Sequence, residues 1–310
     1  MENRRGKMSL EADYVVDRRR LKRRLLFWRV LAIATLAVVV ITSITSSNNF
    51  SVGDHIARLN VTGIIVDDID REYALKKLKD DEEVLALIVR IDSPGGTVVG
   101  GESLYHQLRD LGQKKPVVAV MGSTATSAGY MIALGADHLI AREGSLTGSI
   151  GVLLQTADIT GLLEKIGVKP EIIKSGPLKA QPNPLEKTTQ AAREAIKAVV
   201  MDIYAMFVDM VAERRKMSPE AVRALADGRV YSGRQALANG LIDAIGSEDE
   251  AIDWLRETAK IPQGLSVQDV IIERPGQGWR SLINAVIGKP LFSERLSLDG
   301  LVSLWQSEIW

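Results

Sequence analysis

From His55 onward, runs of apolar residues alternate with stretches whose apolar positions recur every three or four residues. The runs HIARLNVTGIIV (55–66), EVLALIVRI (83–91), PVVAVMG (116–122), DHLIA (137–141), SIGVLL (149–154) and EIIK (171–174) read as strands, several of them apolar on both faces and so buried in a sheet. Between them, DREYALKKLKDD (70–81), GGESLYHQLRDLGQ (100–113), SAGYMIALGA (127–136) and ITGLLEKIG (159–167) carry apolar residues at helical spacing and end at glycine or charge. That rhythm predicts an α/β fold with crossover helices. After Pro184 the texture changes. Residues 185–216 contain no Gly or Pro, and Ile196, Val199, Val200, Ile203, Met206, Phe207, Met210 and Val211 form one stripe. This predicts a long amphipathic helix whose methionine-containing face packs within the subunit or between subunits rather than holding a cofactor. SPEAVRALADG and SGRQALANG read as short helices opened by serine and closed by glycine.

The first fifty residues follow a different pattern. Basic residues crowd Arg18 to Arg24, and no charge occurs between Arg29 and Asp54. The apolar stretch is sufficient for the roughly 30 Å hydrocarbon core of a bilayer. We read one transmembrane helix over 25–46, with Arg29 snorkelling and the basic side cytoplasmic, so that everything after about Asn48 lies across the membrane. A cleaved signal peptide would have a similar charged start, but the basic region is long and no clear A-x-A site follows. The expected organisation is a basic cytoplasmic segment 1–24, an anchor 25–46, a folded α/β domain 47–280 and a C-terminal tail 281–310 that docks on the domain, a neighbour or the membrane surface.

Composition narrows the chemistry. The 310 residues balance 39 Lys and Arg against 39 Asp and Glu, which argues against a general affinity for nucleic acid. The absence of cysteine removes thiol catalysis, thiolate metal sites and disulfides.

A serine where a buried strand meets a helix can project its hydroxyl while the helix start supplies free N–H groups. In MGSTATSAGYMIALG (121–135), Ser127 has that placement, though Ser123, Thr126 and Ser127 are each equally suited to capping the helix. A second element, RIDSPGGTVVGG (90–101), ends a buried strand with adjacent glycines that let the backbone approach a substrate and aim an N–H at a developing oxyanion. Gly-Gly turns also serve conformation alone, and the motif is not a phosphate-binding loop. A Ser-His-Asp triad needs a placed histidine, and none of the three, His55, His106 and His138, is compelling. A lysine serves instead if burial makes its charged form costly. Lys179 is the lone charge in the Gly/Pro-rich stretch SGPLKAQPNPL (175–185) and the lysine most easily desolvated; Lys174 adjoins a strand end, while Lys187 and Lys197 fall on a solvated helix face.

With IDSPGG, MGSTATSAGYMIALGADHLIA, SLTGSIGV and GRVYSGRQALANGLIDAIG in this order, the sequence resembles the bacterial signal peptide peptidases of the Ser/Lys type, the SppA family, membrane-anchored relatives of the Clp protease proteolytic subunit. The resemblance runs from about His55 to Leu255. It implies a Clp/crotonase-type spiral of ββα units preceded by one N-terminal transmembrane helix. Ser127 would be the nucleophile and Lys179 the general base, Ser149 would hold the lysine, and Gly96 and the N–H of Ala128 would form the oxyanion hole. It also implies a homo-oligomeric ring in which neighbouring subunits complete the dyad, with no cofactor or metal. Substrates would be signal peptides and other apolar peptides, met from the outer side of the bacterial inner membrane. The family usually has Ser-Gly-Gly where this chain has Ser127-Ala128-Gly129, so the added methyl is expected to narrow the pocket or shift specificity. Competing classes are a related membrane peptidase with another substrate, a crotonase-like acyl-CoA enzyme, which the outward topology disfavours, and a non-catalytic membrane scaffold.

Overall fold

Three long strands form the parallel centre of the sheet, β2 (Val84–Thr97) between β1 (His55–Ile65) and β3 (Val117–Thr126). Along β2 the side chains alternate between two cores. Leu87, Val89 and Ile91 face a large cluster built with α3 (Val98–Leu111), α4 (Ala128–Ala133) and α6 (Gln190–Arg215), while Ala86 and Ile88 face a smaller one built with α9 (Glu248–Glu257). Helices on both faces are what a parallel sheet requires, because neither of its apolar faces can be left to water. The computed structural model describes residues 22–37, 53–274 and 302–304.

The sheet forks at β3. Its first half pairs with β4 (His138–Ala141) and its second with β5 (Leu146–Gly148), and β4 in turn pairs with β7 (Ala244–Ile245). β5 takes β6 (Val230–Ser232) antiparallel, and β8 (Ser266–Asp269) joins the first four residues of β1. α2 (Ile69–Asp80) crosses from β1 to β2, its first turn fixed by the Asp68 carboxylate accepting from Asp70 and Arg71 N–H. α5 (Thr160–Lys165), α7 (Pro219–Leu225) and α8 (Gly233–Ala238) complete the helices, and Ser218 and Ser232 cap the last two. These units make an α/β fold.

Two strand expectations fail. Residues 149–154 form no continuous strand, because Ser149 sits at φ 50° directly after β5 and turns the chain out of extension. Residues 171–174 are coil, with Ile173 93% exposed: an apolar run becomes a strand only where another strand meets its hydrogen-bonding groups. The long helix forms, but its stripe is divided. Phe207, Val208 and Val211 are buried in its second half, where Arg214 donates to the carbonyls of Leu134 and Ala136, whereas Val199 and Met201 in the first half are exposed.

The chain divides into two compact units, 1–53 and 54–310. In the first, residues 22–37 form a helix, α1, whose apolar side chains are exposed, Leu26, Ile33 and Leu36 among them by more than 60%. Among the described residues no helix is long and apolar enough to cross a membrane. Positions 38–46 of the expected span lie outside the described residues, as does the expected tail 281–310 apart from β9 (Val302–Leu304).

Candidate active site

The carboxyl ends of β2 and β3 lie side by side, with Ser93 opposite Ala125. In open α/β sheets this is the edge where ligands bind. β3 runs into α4 through Ser127, whose backbone is at φ 56°, ψ −119°, a conformation L side chains rarely adopt. Its surroundings hold it there. The Ser127 N–H donates to Gly148 O at 2.8 Å, its carbonyl accepts from Met131 N–H at 2.9 Å, and every residue of α4 behind it is buried. Tyr130 anchors that helix by donating from its hydroxyl to Leu241 O at 2.8 Å.

Ser127 occupies the N-cap position, yet its side chain makes no capping hydrogen bond. The capping alternative is therefore not realised at Ser127. Thr126 donates its hydroxyl to Pro94 O at 3.1 Å, and Ser123 is exposed on β3.

Beside Ser127 lies the glycine turn. Gly95 takes φ 116°, and a Cβ on Gly96 would stand 1.9 Å from the Ile65 carbonyl oxygen, so only glycine fits where β2 presses on β1. Ser93, absent from the sequence-derived site, braces this turn: its hydroxyl donates to Gly63 O at 2.6 Å and accepts from Gly95 N–H at 3.1 Å. Asp92 acts similarly toward β3 by accepting from Thr124 N–H at 3.1 Å. A Ser or Asp next to Pro-Gly-Gly was the available sequence signal, but it does not say which backbone the side chain reaches. β9 pairs antiparallel with Gly95–Thr97 on the side away from β1. This edge of β2 therefore accepts an extended backbone.

The Ala128 methyl is fully buried, and a Cβ built on Gly101 would come within 3.0 Å of it. It packs on the start of α3, where Gly101 leaves it room.

Ser149 is 7% exposed and follows Gly148, the residue that accepts the Ser127 N–H; its own N–H donates to Arg229 O at 2.8 Å. The fold thus gathers Gly96, Ser127, Ala128 and Ser149, all buried, around one sheet edge. Lys179 is not buried with them. It stands exposed in a turn closed by its N–H to Gly176 O at 3.1 Å, so the desolvation expected of it is not supplied by the described residues. Lys174 is already ion-paired with Glu186, whose carboxyl that lysine and Asn183 hold below its ordinary range.

The histidines lie elsewhere. His138 is paired with Val118, eight residues back along β3 from Thr126, or about 26 Å at strand rise. It stacks on Trp254 at 4.8 Å, and burial pushes its pKa down. His55 begins β1 at the opposite end from Ile65 and Gly96, and His106 is exposed on α3 beside Glu102.

Residues 109–262 match peptidase family S49. The Synechocystis protein slr0021, provisionally named a protease, is 43% identical over 201 residues, covering 64% of this chain and 72% of its own. An Enterococcus faecium protein provisionally named signal peptide peptidase SppA is 35% identical over 227 residues, 69% of this chain and 66% of its own. Protease 4 of Haemophilus influenzae is 33% identical over 236 residues, and the chain spans 38% of that longer relative. Among solved structures, a variant of Listeria monocytogenes ClpP1 matches 63% of this chain and 94% of its own at a TM-score of 0.44 and 16% identity. At 43% identity across 72% of slr0021, the chain belongs to peptidase family S49 and is a serine endopeptidase.

Proposed function

We propose that the protein is a membrane-anchored endopeptidase that degrades remnant signal peptides left in the bilayer after preprotein processing. In this reading Ser127 is the nucleophile, Lys179 the general base, Ser149 the residue that steadies the lysine, and the N–H groups of Gly96 and Ala128 the oxyanion hole. The observation that carries it is the backbone of Ser127: a non-glycine residue held at positive φ, at the head of a helix it does not cap. Strain of this kind costs about 1–3 kcal/mol and persists where surrounding structure enforces it, characteristically at reacting groups.

The chemistry follows from those roles. The neutral amine of Lys179 takes the Ser127 Oγ proton as Oγ bonds to the scissile carbonyl carbon, and the oxyanion accepts from the two N–H groups. The ammonium then returns the proton to the leaving nitrogen as the C–N bond breaks. Water, deprotonated by the same amine, attacks the acyl-enzyme; the proton goes back to Oγ and a new C-terminal carboxylate is released. A substrate lying extended along Gly95–Thr97, as β9 does, brings its backbone beside Ser127.

A lysine base needs a dry surround, which disfavours the ammonium form. One chain leaves Lys179 exposed, and the segment around it also exposes Leu162, Ile166, Val168, Ile172 and Leu178. So much unpartnered apolar surface is consistent with a second copy covering it, as in a closed ring whose neighbours complete the dyad. The exposed apolar side chains of α1 support an anchor over 25–46 in the bacterial inner membrane, with residues 1–24 cytoplasmic and the peptidase domain periplasmic. The parallel strands joined by crossover helices and the forked sheet support the Clp/crotonase-type spiral.

The test is peptide hydrolysis by the full chain in detergent, beside labelling by a fluorophosphonate. Ser127 is expected to take the label, and peptides with small or aliphatic residues at the cut are expected to be hydrolysed fastest. Faster cleavage at charged residues would overturn the substrate, and labelling unchanged in Ser127→Ala would overturn the nucleophile.

A further inference from the structure

Among the described residues, the outer edge of β1 beyond Arg58 has no strand beside it, because β8 pairs only with His55–Arg58. A cavity of about 460 Å³ occupies that place, between the second half of β1, the start of α2 and the segment 272–274. Its apolar wall includes Ile64 and Ile272, and its polar wall Asp68, Arg71 and Arg274.

The polar groups of the lining are unequally paired. Arg274 Nη2 meets Asp68 Oδ2 at 2.7 Å, and Asp68 Oδ1 accepts the N–H groups of Asp70 and Arg71, so that carboxylate is fully engaged. Arg71 donates Nη2 to Val66 O at 3.0 Å, but its Nε is buried without a hydrogen-bond partner although the residue is only 8% exposed. Asp68, the one carboxylate lining the cavity, is thus already bonded to Arg274, and one buried donor of Arg71 is unmet. Burial of Arg71 pushes its pKa down, with Asp68 and Asp67 opposing. A buried cation with an open N–H is costly unless an anion completes it.

We propose that this cavity binds a carboxylate carried on a short aliphatic stem, the anion completing Arg71 and the stem lying on Ile64 and Ile272. Size and lining both favour such a ligand: the volume is at the small end for ligand pockets, and a planar carboxylate matches the guanidinium fork. Resting on the peptidase reading above, the C-terminal end of a cleaved apolar peptide is the source in which this chemistry arises at every turnover. The site adjoins the reacting edge. Ile64 and Ile65 pair with Gly95 and Gly96, and the Ile65 carbonyl is the group against which Gly96 packs, so an occupied cavity braces the strand beneath the glycine turn.

Binding is tested by calorimetry on the full chain carrying Ser127→Ala, in detergent, so that the result does not depend on hydrolysis. The probes are N-acetyl-alanyl-leucine, hexanoate and the amide of each. The acids are expected to bind with Kd on the order of 1 mM or tighter and the amides at least about tenfold more weakly. Preference for the peptide acid identifies a product site, and equal binding of hexanoate identifies a fatty-acid source for the same chemistry. Arg71→Met is expected to abolish the difference between acid and amide. Arg274→Gln, at a partly exposed side chain, should weaken the acids about tenfold with Tm nearly unchanged, because it releases the Asp68 charge into the cavity. Acids and amides binding alike, no heat from any probe, or acid binding unaffected by Arg274→Gln would each overturn the site.

Discussion

Ser127 and Lys179 sit in opposite surroundings. The serine is 1% exposed, held at positive φ by β5, by α4 and by the fully buried residues behind it. The lysine is exposed, in a segment whose neighbour Ile173 is 93% open to water. One region is finished by the chain's own core; the other carries apolar side chains that none of the described residues covers. On the function proposed above, the nucleophile is preorganised before assembly and the base acquires a dry environment when another copy closes over it, so that a lone chain is held inactive.

The contrast breaks most sharply with the two dyad substitutions. Ser127→Ala and Lys179→Ala should each lower kcat/KM by at least about 10⁴-fold. If the base comes from a neighbour, co-expressing the two inactive chains should restore about a quarter of wild-type activity, the share of random pairs that join an intact serine to an intact lysine. No recovery would place both groups in one chain.

Stability should divide the regions next. Gly96→Ala, whose methyl would collide with backbone rather than a movable side chain, should cost about 3 kcal/mol or more in chemical denaturation. Ser127→Gly should remove activity yet stabilise the fold by about 1 kcal/mol through relief of strain, whereas Lys179→Gly should change stability by less than about 0.5 kcal/mol. Equal effects at both positions would mean that the serine backbone is not strained.

The smallest expected effect is an acid transition beside Ser149. Arg229, whose carbonyl accepts the Ser149 N–H, pairs with Asp227 and lowers its pKa to about 2. A carboxyl depressed in the fold contributes stability that is complete above its unfolded pKa of about 3.9 and is lost as pH falls toward 2. Asp227→Asn should flatten the denaturation midpoint across that window. A midpoint that still falls equally steeply would assign the loss to other carboxylates.

Periodicity made the central sheet legible. β1 to β4 and α2 to α4 lie within a few residues of their expected places except that β2 and β3 run farther, to Thr97 and Thr126, because bulged loops keep pairing past the apolar run. The short strands β5, β6 and β7 carry two or three residues each and were not expected, since strands that brief exist only through their partners. α9 was missed although Ser247 and Glu250 form a capping box at its start. At the site, the junction serine and the glycine turn were readable, whereas Ser93 and Asp92 were not, because their partners lie some thirty positions away.

By itself the sequence determined which runs must be buried, where strand gives way to helix, and that Ser127 stands at such a junction, since apolar spacing and local backbone chemistry are short-range properties. Only the tertiary structure decided the positive φ of Ser127, the packing of the Ala128 methyl on Gly101, the separation of the histidines from the reacting edge and the exposure of Lys179. Burial belongs to the neighbours a residue acquires in space, and a lysine alone among glycines and prolines is desolvated only if something packs over it.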